Sequence, residues 1–375
     1  MSLDLHAEFP LEDGLFHLNH AAVGPWPNRT REAVCAFAAE NTQQGSRHYL
    51  RWLETEAELR RRLAAFINAP GADDIALVKN TSEGLSLVAW GLDWLPGDRI
   101  VTSTEEFPSN RIVWESLAPL GVELVEVDLA SAEDPEAALE AALDDRTRLL
   151  AISSVQYGSG LALDLARLGR ACRERGILFG IDAIQSLGAT AMDVAACHAD
   201  FLAADGHKWL LAPEGLAVFY TSAELRERLH LYQYGWHMVE HVGDFNRREW
   251  EPAASARRFE PGSPNMVAIH ALSASLSLFE EVGMAAVEHA IHERVRWLVE
   301  AIQGEPLLEL LSRPDRTAGI VTFRHCEKET EALYESLMAR GVLCAQRGGG
   351  IRFSPHFYTP MATLEGALHE VLWED

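Results

Sequence analysis

Lysine is scarce in this chain of 375 residues, which has only three lysines among its 32 basic residues. The remainder are arginines, a bias that a G+C-rich genome explains, and arginine keeps its proton at every ordinary pH. A nucleophilic side-chain amine could therefore come only from Lys79, Lys208 or Lys328. Because Lys328 lies in a Glu-Lys-Glu stretch that is typical of a solvated helix face, Lys208 and Lys79 remain as candidates.

Net positive charge is also lacking, since 56 acidic residues give a formal net charge of −24. Nucleic-acid-binding proteins normally carry a basic stripe, so that function is not expected. No stretch of 18 residues is free of charge, and the first ten residues have neither the basic nor the apolar part of a signal peptide. The cysteines form no Cys-x-x-Cys pair and are typical of free thiols in a reducing compartment: Cys35, Cys172, Cys197, Cys326 and Cys344. The sequence predicts a cytoplasmic protein without a membrane segment or a metal site.

Short apolar runs alternate with helical patterns between about residues 75 and 222. The runs cover residues 99–103, 122–128, 147–155, 177–184, 199–204 and 216–221. Amphipathic helical patterns separate several of them, at residues 109–120, 135–143 and 164–175. This order is typical of βα units, and it predicts an α/β fold with three layers (α/β/α) around a mainly parallel sheet.

The regions on either side of this α/β pattern predict a second, smaller unit. Two helical patterns precede it, at residues 29–43 and 54–67, and a loop-rich stretch follows at 232–264. Helical patterns at 266–281, 285–302, 327–340 and 359–372 then accompany short strands at 319–324 and 351–354. We expect a large α/β domain over residues 21–259 and a small α+β domain formed by residues 1–20 and 260–375.

Lys208 and Asp182 both follow predicted strands at the edge where open α/β sheets bind ligands. An amine at this edge can form a Schiff base with a carbonyl compound. A carboxylate beside a bound pyridine keeps the ring nitrogen protonated, and the two residues together meet the minimum needs of a pyridoxal phosphate enzyme. Taken singly, Lys208 could be a surface lysine and Asp182 a helix cap.

Three further motifs could complete such a site. Thr81 and Ser82 lie where a helix N-terminus could bind a phosphate, although Asn80 and Glu83 could instead form a capping box there. Phe107 follows a strand and could stack on a planar ring, or it could anchor a loop in the core. Arg352 follows a glycine run and suits a substrate carboxylate, or an ion pair between the domains.

These motifs, in this order from Leu18 to Arg352, resemble the class V aminotransferases. This branch of the fold type I pyridoxal phosphate enzymes includes cysteine desulfurases, kynureninases and isopenicillin N epimerase-like proteins. The resemblance implies a Schiff base between Lys208 and pyridoxal 5′-phosphate, with Asp182 on the pyridine nitrogen and Gln185 on the ring oxygen. It further implies ring stacking by Phe107, phosphate contacts from Thr81, Ser82 and His207, and substrate contacts from Arg352, Asn19 and His20. Ser263 matches a residue that reaches the phosphate of the neighbouring subunit, which implies a homodimer with shared active sites.

The resemblance implies an enzyme that acts on the amino group or Cα of a small amino acid. Transamination is ranked first, and epimerisation or β/γ-elimination, including desulfurase-like C–S cleavage, is the alternative. A non-catalytic binding or regulatory module with the same fold stays open. Two positions depart from the family pattern. Asp205 replaces a frequent serine near the phosphate, and residues 341–350 leave no room for the loop that carries the desulfurase cysteine, so Cys344 is expected to be a buried strand thiol.

Overall fold

The computed structural model describes residues 3–373. Within this range the α-helices are α1 (Leu5–Glu8), α2 (Asn28–Gln44), α3 (Tyr49–Phe66), α4 (Thr81–Gly91), α5 (Ser109–Glu115), α6 (Pro135–Ala142), α7 (Leu165–Arg175), α8 (Ala223–Arg228), α9 (Met266–Val282), α10 (Met284–Gly304), α11 (Thr330–Ala339) and α12 (Met361–Leu372). The strands are β1 (Phe16–His17), β2 (Ile75–Val78), β3 (Arg99–Ser103), β4 (Glu123–Val127), β5 (Thr147–Ser153), β6 (Leu178–Asp182), β7 (Phe201–Asp205), β8 (Ala217–Thr221), β9 (Leu308–Leu310), β10 (Val321–His325), β11 (Val342–Leu343), β12 (Ala345–Arg347) and β13 (Gly350–Phe353).

A mostly parallel sheet forms the centre of the larger part of the molecule. Among the described residues its strand order is β2-β8-β7-β6-β5-β3-β4, and β8 alone runs against both of its neighbours. Strands β5, β6 and β7 are parallel and in register, so that Ser153, Asp182 and Ala203 lie side by side near their carboxyl ends. The predicted three-layer α/β/α class is confirmed.

Helices cover both faces of this sheet, which explains why its strands are apolar without alternation. One face packs against α3, α7 and α9 through residues such as Leu63, Leu168 and Leu272. The opposite face packs against α4 and α5, where Val88 and Trp114 are buried. With both faces covered, the polar residues of the strands gather at the strand ends.

A smaller antiparallel sheet, with the order β12-β13-β10-β9, forms beside α10, α11 and α12. The N-terminal strand β1 pairs in parallel with β11, so the beginning of the chain packs with its C-terminal part as expected. Helix α9 follows residue 260 but packs on α2 and α3, and the division of domains at residue 259 stays a prediction. Between residues 3 and 373, no helix is long and apolar enough to cross a membrane.

Candidate active site

Lys208 lies in a tight turn directly after β7. The turn is closed by the amide of Gly206, which donates to the carbonyl of Leu216 (3.0 Å), and it ends at Leu211, whose φ is +57°. The N-terminal segment crosses it closely, since a Cβ atom at Gly24 would lie 2.4 Å from the Lys208 carbonyl oxygen. Only glycine fits at position 24. The turn that carries Lys208 is therefore fixed by the hydrogen bond to Leu216 on one side and by the N-terminal segment on the other.

The amine of Lys208 is buried among charged groups. Burial lowers its pKa to about 8; the carboxyl of Asp182 opposes this shift, and the guanidinium of Arg352 adds to it. The Nζ atom lies 5.5 Å from the centre of the Phe107 ring, whose side chain is 38% exposed. Lys208 is therefore an amine that loses its proton far more readily than an ordinary lysine, and it faces the aromatic ring predicted to stack.

Asp182 ends β6 and is buried beside Lys208. One carboxyl oxygen accepts a hydrogen bond from the amide of Ile184 (3.0 Å), so the residue also caps the turn that follows the strand. Burial, and then the nearby Glu106 carboxyl, raise the pKa of Asp182 to about 7, while Lys208 acts in the opposite direction. A carboxyl with this proton affinity is suited to share a proton with a heterocyclic nitrogen.

Gln185 connects the site to the N-terminal segment. Its amide nitrogen donates to the carbonyl of Ala21 (3.0 Å), and its amide oxygen accepts from the indole nitrogen of Trp209 (2.9 Å). A side-chain amide has two N–H groups. The second N–H is the one that could reach a ring oxygen.

The N-terminus of α4 is closed by protein groups. The Asn80 side chain accepts from the amide of Glu83 (2.8 Å), and the Glu83 carboxyl accepts from the amide of Lys79 (2.5 Å). Asn80 thus caps the helix as in the capping box offered as the alternative to a phosphate cradle, while Glu83 bonds the amide one residue before the cap. It leaves fewer free amides for an anion.

Asp205 points at this helix end. Both the amide and the hydroxyl of Thr81 donate to the same Asp205 oxygen, at 3.2 Å each. The Ser82 hydroxyl donates to that of Ser109 (2.8 Å), whereas Nδ1 of His207 is buried without a partner within the described chain. Phosphate contacts from Thr81, Ser82 and His207 stay predictions, and of the three only His207 has a buried polar atom free.

Arg352 is a buried cation without a carboxylate partner in residues 3–373. It is 2% exposed, one guanidinium nitrogen donates to the Tyr157 carbonyl (2.7 Å), and Nε has no partner among the described atoms. Burial, followed by the charge of Arg347, lowers its pKa to about 10. The ion pair between domains is absent from the described part, and the guanidinium is available to an external anion.

The two N-terminal candidates differ in what they leave free. Asn19 pairs with Ser354 by a β-bridge, and its amide oxygen is buried without a partner in the described chain. The ring nitrogens of His20 are both engaged, one by the Ser354 carbonyl (2.8 Å) and one by the Tyr358 hydroxyl (2.7 Å). Asn19 can still contact a substrate, whereas His20 is tied into the packing of this segment.

Ser263 is exposed on the loop that leads to α9. It lines an open cavity of about 430 Å³ together with Lys79 and Glu83. No hydrogen bond joins it to the Lys208 turn within residues 3–373. Its predicted contact with the phosphate of a neighbouring subunit stays a prediction.

Cys344 is a buried thiol between β11 and β12, as expected. It is 1% exposed, and burial raises its pKa to about 12. A thiol that keeps its proton and has no access to solvent is a poor nucleophile.

Comparison with known proteins covers nearly the whole chain. The family model described as "Aminotransferase class-V" matches residues 19–359. The chain belongs to the class V aminotransferase family. Two relatives of this family member are named probable cysteine desulfurases: one from Pyrococcus abyssi is 31% identical over 98% of this chain and 97% of its own, and one from Methanothermobacter thermautotrophicus is 29% identical over 95% and 93%.

Solved structures show the same fold as this class V family member. A C-DES mutant with glycine covalently linked to its PLP cofactor has a TM-score of 0.91 over the whole of both chains, at 22% identity. The complex between the cystine C–S lyase C-DES and its reaction product, cysteine persulfide, has a TM-score of 0.90 at 23% identity, covering 98% of this chain and all of that one. The predicted fold type I is confirmed.

Glu106 is a buried residue beside the site of this class V chain that the sequence pattern does not single out. It precedes Phe107, and its carboxyl receives hydrogen bonds from Asn110, Ser153 and Gln156. The available signal was a second acidic residue directly after a buried strand, in the pair Glu105-Glu106. Adjacent glutamates are usually solvated, so the pattern alone does not single out the buried one.

Proposed function

We propose that this chain is a pyridoxal 5′-phosphate-dependent C–S lyase that removes the sulfur substituent from Cβ of cysteine or of a disulfide of cysteine. The sulfur leaves as a small molecule instead of being transferred to a cysteine of the enzyme. The remaining three-carbon fragment is released and reacts with water to give pyruvate and ammonia.

The names of the relatives favour C–S cleavage over transamination. Transamination was the first expectation from the sequence, but two relatives that span this chain are named probable cysteine desulfurases. The alternative of desulfurase-like C–S cleavage has more support than that first choice. A non-catalytic module is disfavoured because Lys208, Asp182 and Arg352 share one buried site.

The state of the Cys344 thiol favours a lyase over a desulfurase that forms a persulfide on the enzyme. The site holds a lysine amine and an unpaired arginine, but the nearest thiol in the described chain along the Arg352 strands is that of Cys344, which is buried and protonated. Persulfide formation on an enzyme requires an accessible thiolate. The comparison structure described as a cystine C–S lyase fits the same conclusion.

The residues present fit the cofactor by their donor chemistry. Lys208 would hold its aldehyde, Asp182 its ring nitrogen, Phe107 one ring face, and the orphaned His207 nitrogen an anionic oxygen. When bound, pyridoxal phosphate supplies an electron sink for the bond broken at Cα. In its ionised form, the buried carboxylate of Asp182 would support that role by accepting a hydrogen bond from the protonated ring nitrogen.

The protein side chains then bind the substrate and move its proton. Arg352 binds the substrate carboxylate by paired N–H donors. This fixes the α-hydrogen near Lys208, whose amine, with a pKa of about 8, is a base of suitable strength near neutral pH. Once the amino group of the substrate has replaced Lys208 on the aldehyde, the freed Lys208 amine would remove the α-proton. The electron pair of that C–H bond would form the Cα–Cβ double bond, and the sulfur group would leave Cβ with the C–S electrons.

The test is a product assay on the purified holoenzyme with cysteine and with cystine. We expect pyruvate and ammonia in equal amounts, together with sulfide from cysteine or a persulfide from cystine. The matched reaction contains alanine and a keto acid. Amino-group transfer in that reaction, without release of sulfur from either sulfur substrate, would establish the aminotransferase instead.

Replacement of Cys344 separates the two kinds of sulfur chemistry. Because its thiol is buried and protonated, we expect Cys344→Ser to keep kcat for pyruvate formation within about twofold of the parent. The exposed Cys326 provides the control variant Cys326→Ser. Loss of turnover in Cys344→Ser alone, with an unchanged melting temperature, would restore the desulfurase assignment.

A further inference from the structure

Glu106 is a buried carboxylate that accepts four hydrogen bonds. One oxygen accepts from the amide of Ser153 (2.7 Å) and from the side chain of Gln156 (2.9 Å). The other accepts from the Ser153 hydroxyl (2.5 Å) and from the side chain of Asn110 (2.9 Å). We call Glu106, Asn110, Ser153 and Gln156 the Glu106 cluster.

The direction of these hydrogen bonds is fixed by a neighbouring tryptophan. The indole N–H of Trp114 donates to the side-chain oxygen of Asn110 (2.9 Å). The amide nitrogen of Asn110 must therefore face Glu106, and the Ser153 main-chain N–H can only donate. The position needs a group that accepts hydrogen bonds at both oxygens, which a carboxylate provides and a side-chain amide does not.

The Glu106 cluster joins three segments that carry the active site. Glu106 is bonded to Phe107, whose ring faces Lys208. Ser153 ends β5 and lies directly beside Asp182 in the sheet.

The third segment begins at Gln156 and leads to Arg352. The next residue, Tyr157, packs edge-on against Phe107, with ring centres 5.2 Å apart. The carbonyl of Tyr157 accepts the hydrogen bond from Arg352. One carboxylate thus connects the ring that faces Lys208 with the carbonyl that orients the arginine.

We propose that Glu106 is a positioning residue. It holds the loop after β3 against the end of β5 and against the loop that follows β5. In this way it fixes Phe107 over the cofactor ring and orients Arg352 through Tyr157. This inference rests on the proposed function for the role of Arg352 and on the cofactor for that of Phe107. The negative charge of Glu106 also raises the pKa of the nearby Asp182 carboxyl.

The experiment titrates the apo-protein with pyridoxal 5′-phosphate, following the absorbance of the bound cofactor, and records its visible circular dichroism. Glu106→Gln keeps the shape of the side chain but places an N–H group against the Asn110 donor. We expect the Kd for pyridoxal phosphate to rise about tenfold, and the dichroism band to weaken because the ring loses its fixed orientation.

A second substitution restores the hydrogen-bond pattern. Asn110→Asp supplies an acceptor for the new amide and keeps the oxygen that accepts from Trp114. The double variant Glu106→Gln/Asn110→Asp should recover the Kd to within about threefold of the parent, whereas Asn110→Asp alone opposes two carboxylates and should weaken binding. Glu105→Gln removes the same charge one residue away and outside the cluster, and serves as the matched control.

Steady-state kinetics add a readout that depends on Arg352. Glu106→Gln should raise KM for the amino acid by a larger factor than it lowers kcat, since the carboxylate contact is disturbed more than the lysine. Should Glu106→Gln fold poorly, Ser153→Ala removes one donor only and should raise the cofactor Kd about two- to threefold.

The outcomes separate cleanly. An unchanged Kd and unchanged dichroism in Glu106→Gln, even at a lower melting temperature, would reduce Glu106 to a structural residue. A defect that the double variant fails to repair would mean that the hydrogen-bond pattern of the cluster does not position Phe107, and would overturn the proposal. The cofactor measurements use no sulfur substrate, so they stand or fall independently of the proposed C–S lyase activity.

Discussion

At the scale of single residues, the site is organised by what burial does to three charged groups. It lowers the pKa of Lys208 and of Arg352 and raises that of Asp182. Each shift moves the group toward its neutral form. The pocket therefore holds a lysine that can release its proton near neutral pH and an aspartic acid that can keep one.

The reactivity of Lys208 should follow its lowered pKa. An amine with a pKa of about 8 is half deprotonated at pH 8, whereas roughly 0.3% of ordinary lysine amines are. The rate at which the apo-protein captures pyridoxal phosphate, trapped with borohydride, should rise with pH and level off above about pH 8. Lys208→Ala should abolish the trapped adduct, and an adduct that persists would assign the chemistry to Lys79 or another amine.

Arg352 should control substrate affinity. Because its guanidinium has no carboxylate partner in residues 3–373, Arg352→Gln should raise KM for amino-acid substrates by about a hundredfold, the effect of losing a paired, charge-assisted contact. The exposed neighbour in the same sheet supplies the control Arg347→Gln. Equal KM values for the two variants would remove Arg352 from the binding site.

At the scale of secondary-structure elements, Asp205 and the start of α4 stand out. Asp205 caps this helix through Thr81 and adds a negative charge close to where the phosphate is expected. The cap stabilises α4, but it engages two donors that a phosphate could use.

Replacing Asp205 should trade helix stability for cofactor affinity. Asp205→Ser frees the amide and hydroxyl of Thr81 and removes a like charge, so the Kd for pyridoxal phosphate should fall about tenfold. The melting temperature of the apo-protein should drop by several degrees with the lost cap. Weaker cofactor binding in this variant would show that Asp205 organises the site.

The elements were predictable because the strands of a covered sheet are short apolar runs. The apolar run at residues 99–103 predicts strand β3 at its observed position, and similar runs predict that Asp182 and Lys208 follow strand ends. The contacts of Glu106 were not predictable, because they depend on which of two adjacent glutamates turns inward. Periodicity also does not show that β8 is antiparallel to its neighbours, because an apolar run has the same pattern in either strand direction.

At the scale of the whole molecule, three histidines, the buried His20 and His356 and the half-buried His17, join the two ends of the chain. The ring centres of His17 and His20 lie 4.6 Å apart, and those of His20 and His356 lie 5.1 Å apart. Burial lowers the pKa of His17 to about 4 and that of His356 to about 3. All three rings are neutral in the folded protein at neutral pH.

These histidines should make the fold sensitive to acid. Below pH 6.5 the unfolded chain takes up protons that the folded chain refuses, so stability falls as the pH drops from 6.5 toward 4. The contribution of His17 to this loss should be about 2 kcal/mol between pH 7 and pH 5. Urea unfolding of His17→Phe should show a correspondingly smaller decrease, whereas the exposed His289→Gln should behave as the parent does.

A homodimer with shared active sites stays a prediction at this scale. Ser263 is exposed and has no hydrogen bond to the Lys208 turn in the described chain. A residue that contacts the phosphate of a neighbouring subunit would need to be exposed in this way. Light scattering of the holoenzyme would give its mass directly.

The crossing of Gly24 over the Lys208 turn has a practical consequence for anyone who shortens this protein. Residues 16–24 connect two parts of the molecule. At one end they pair with β11 and hydrogen-bond to Ser354, and at the other the amide of Gly24 donates to the His207 carbonyl. Trimming the chain up to residue 24 would therefore cut the tie between the arginine-bearing sheet and the lysine, although almost none of the trimmed residues touches a reacting atom.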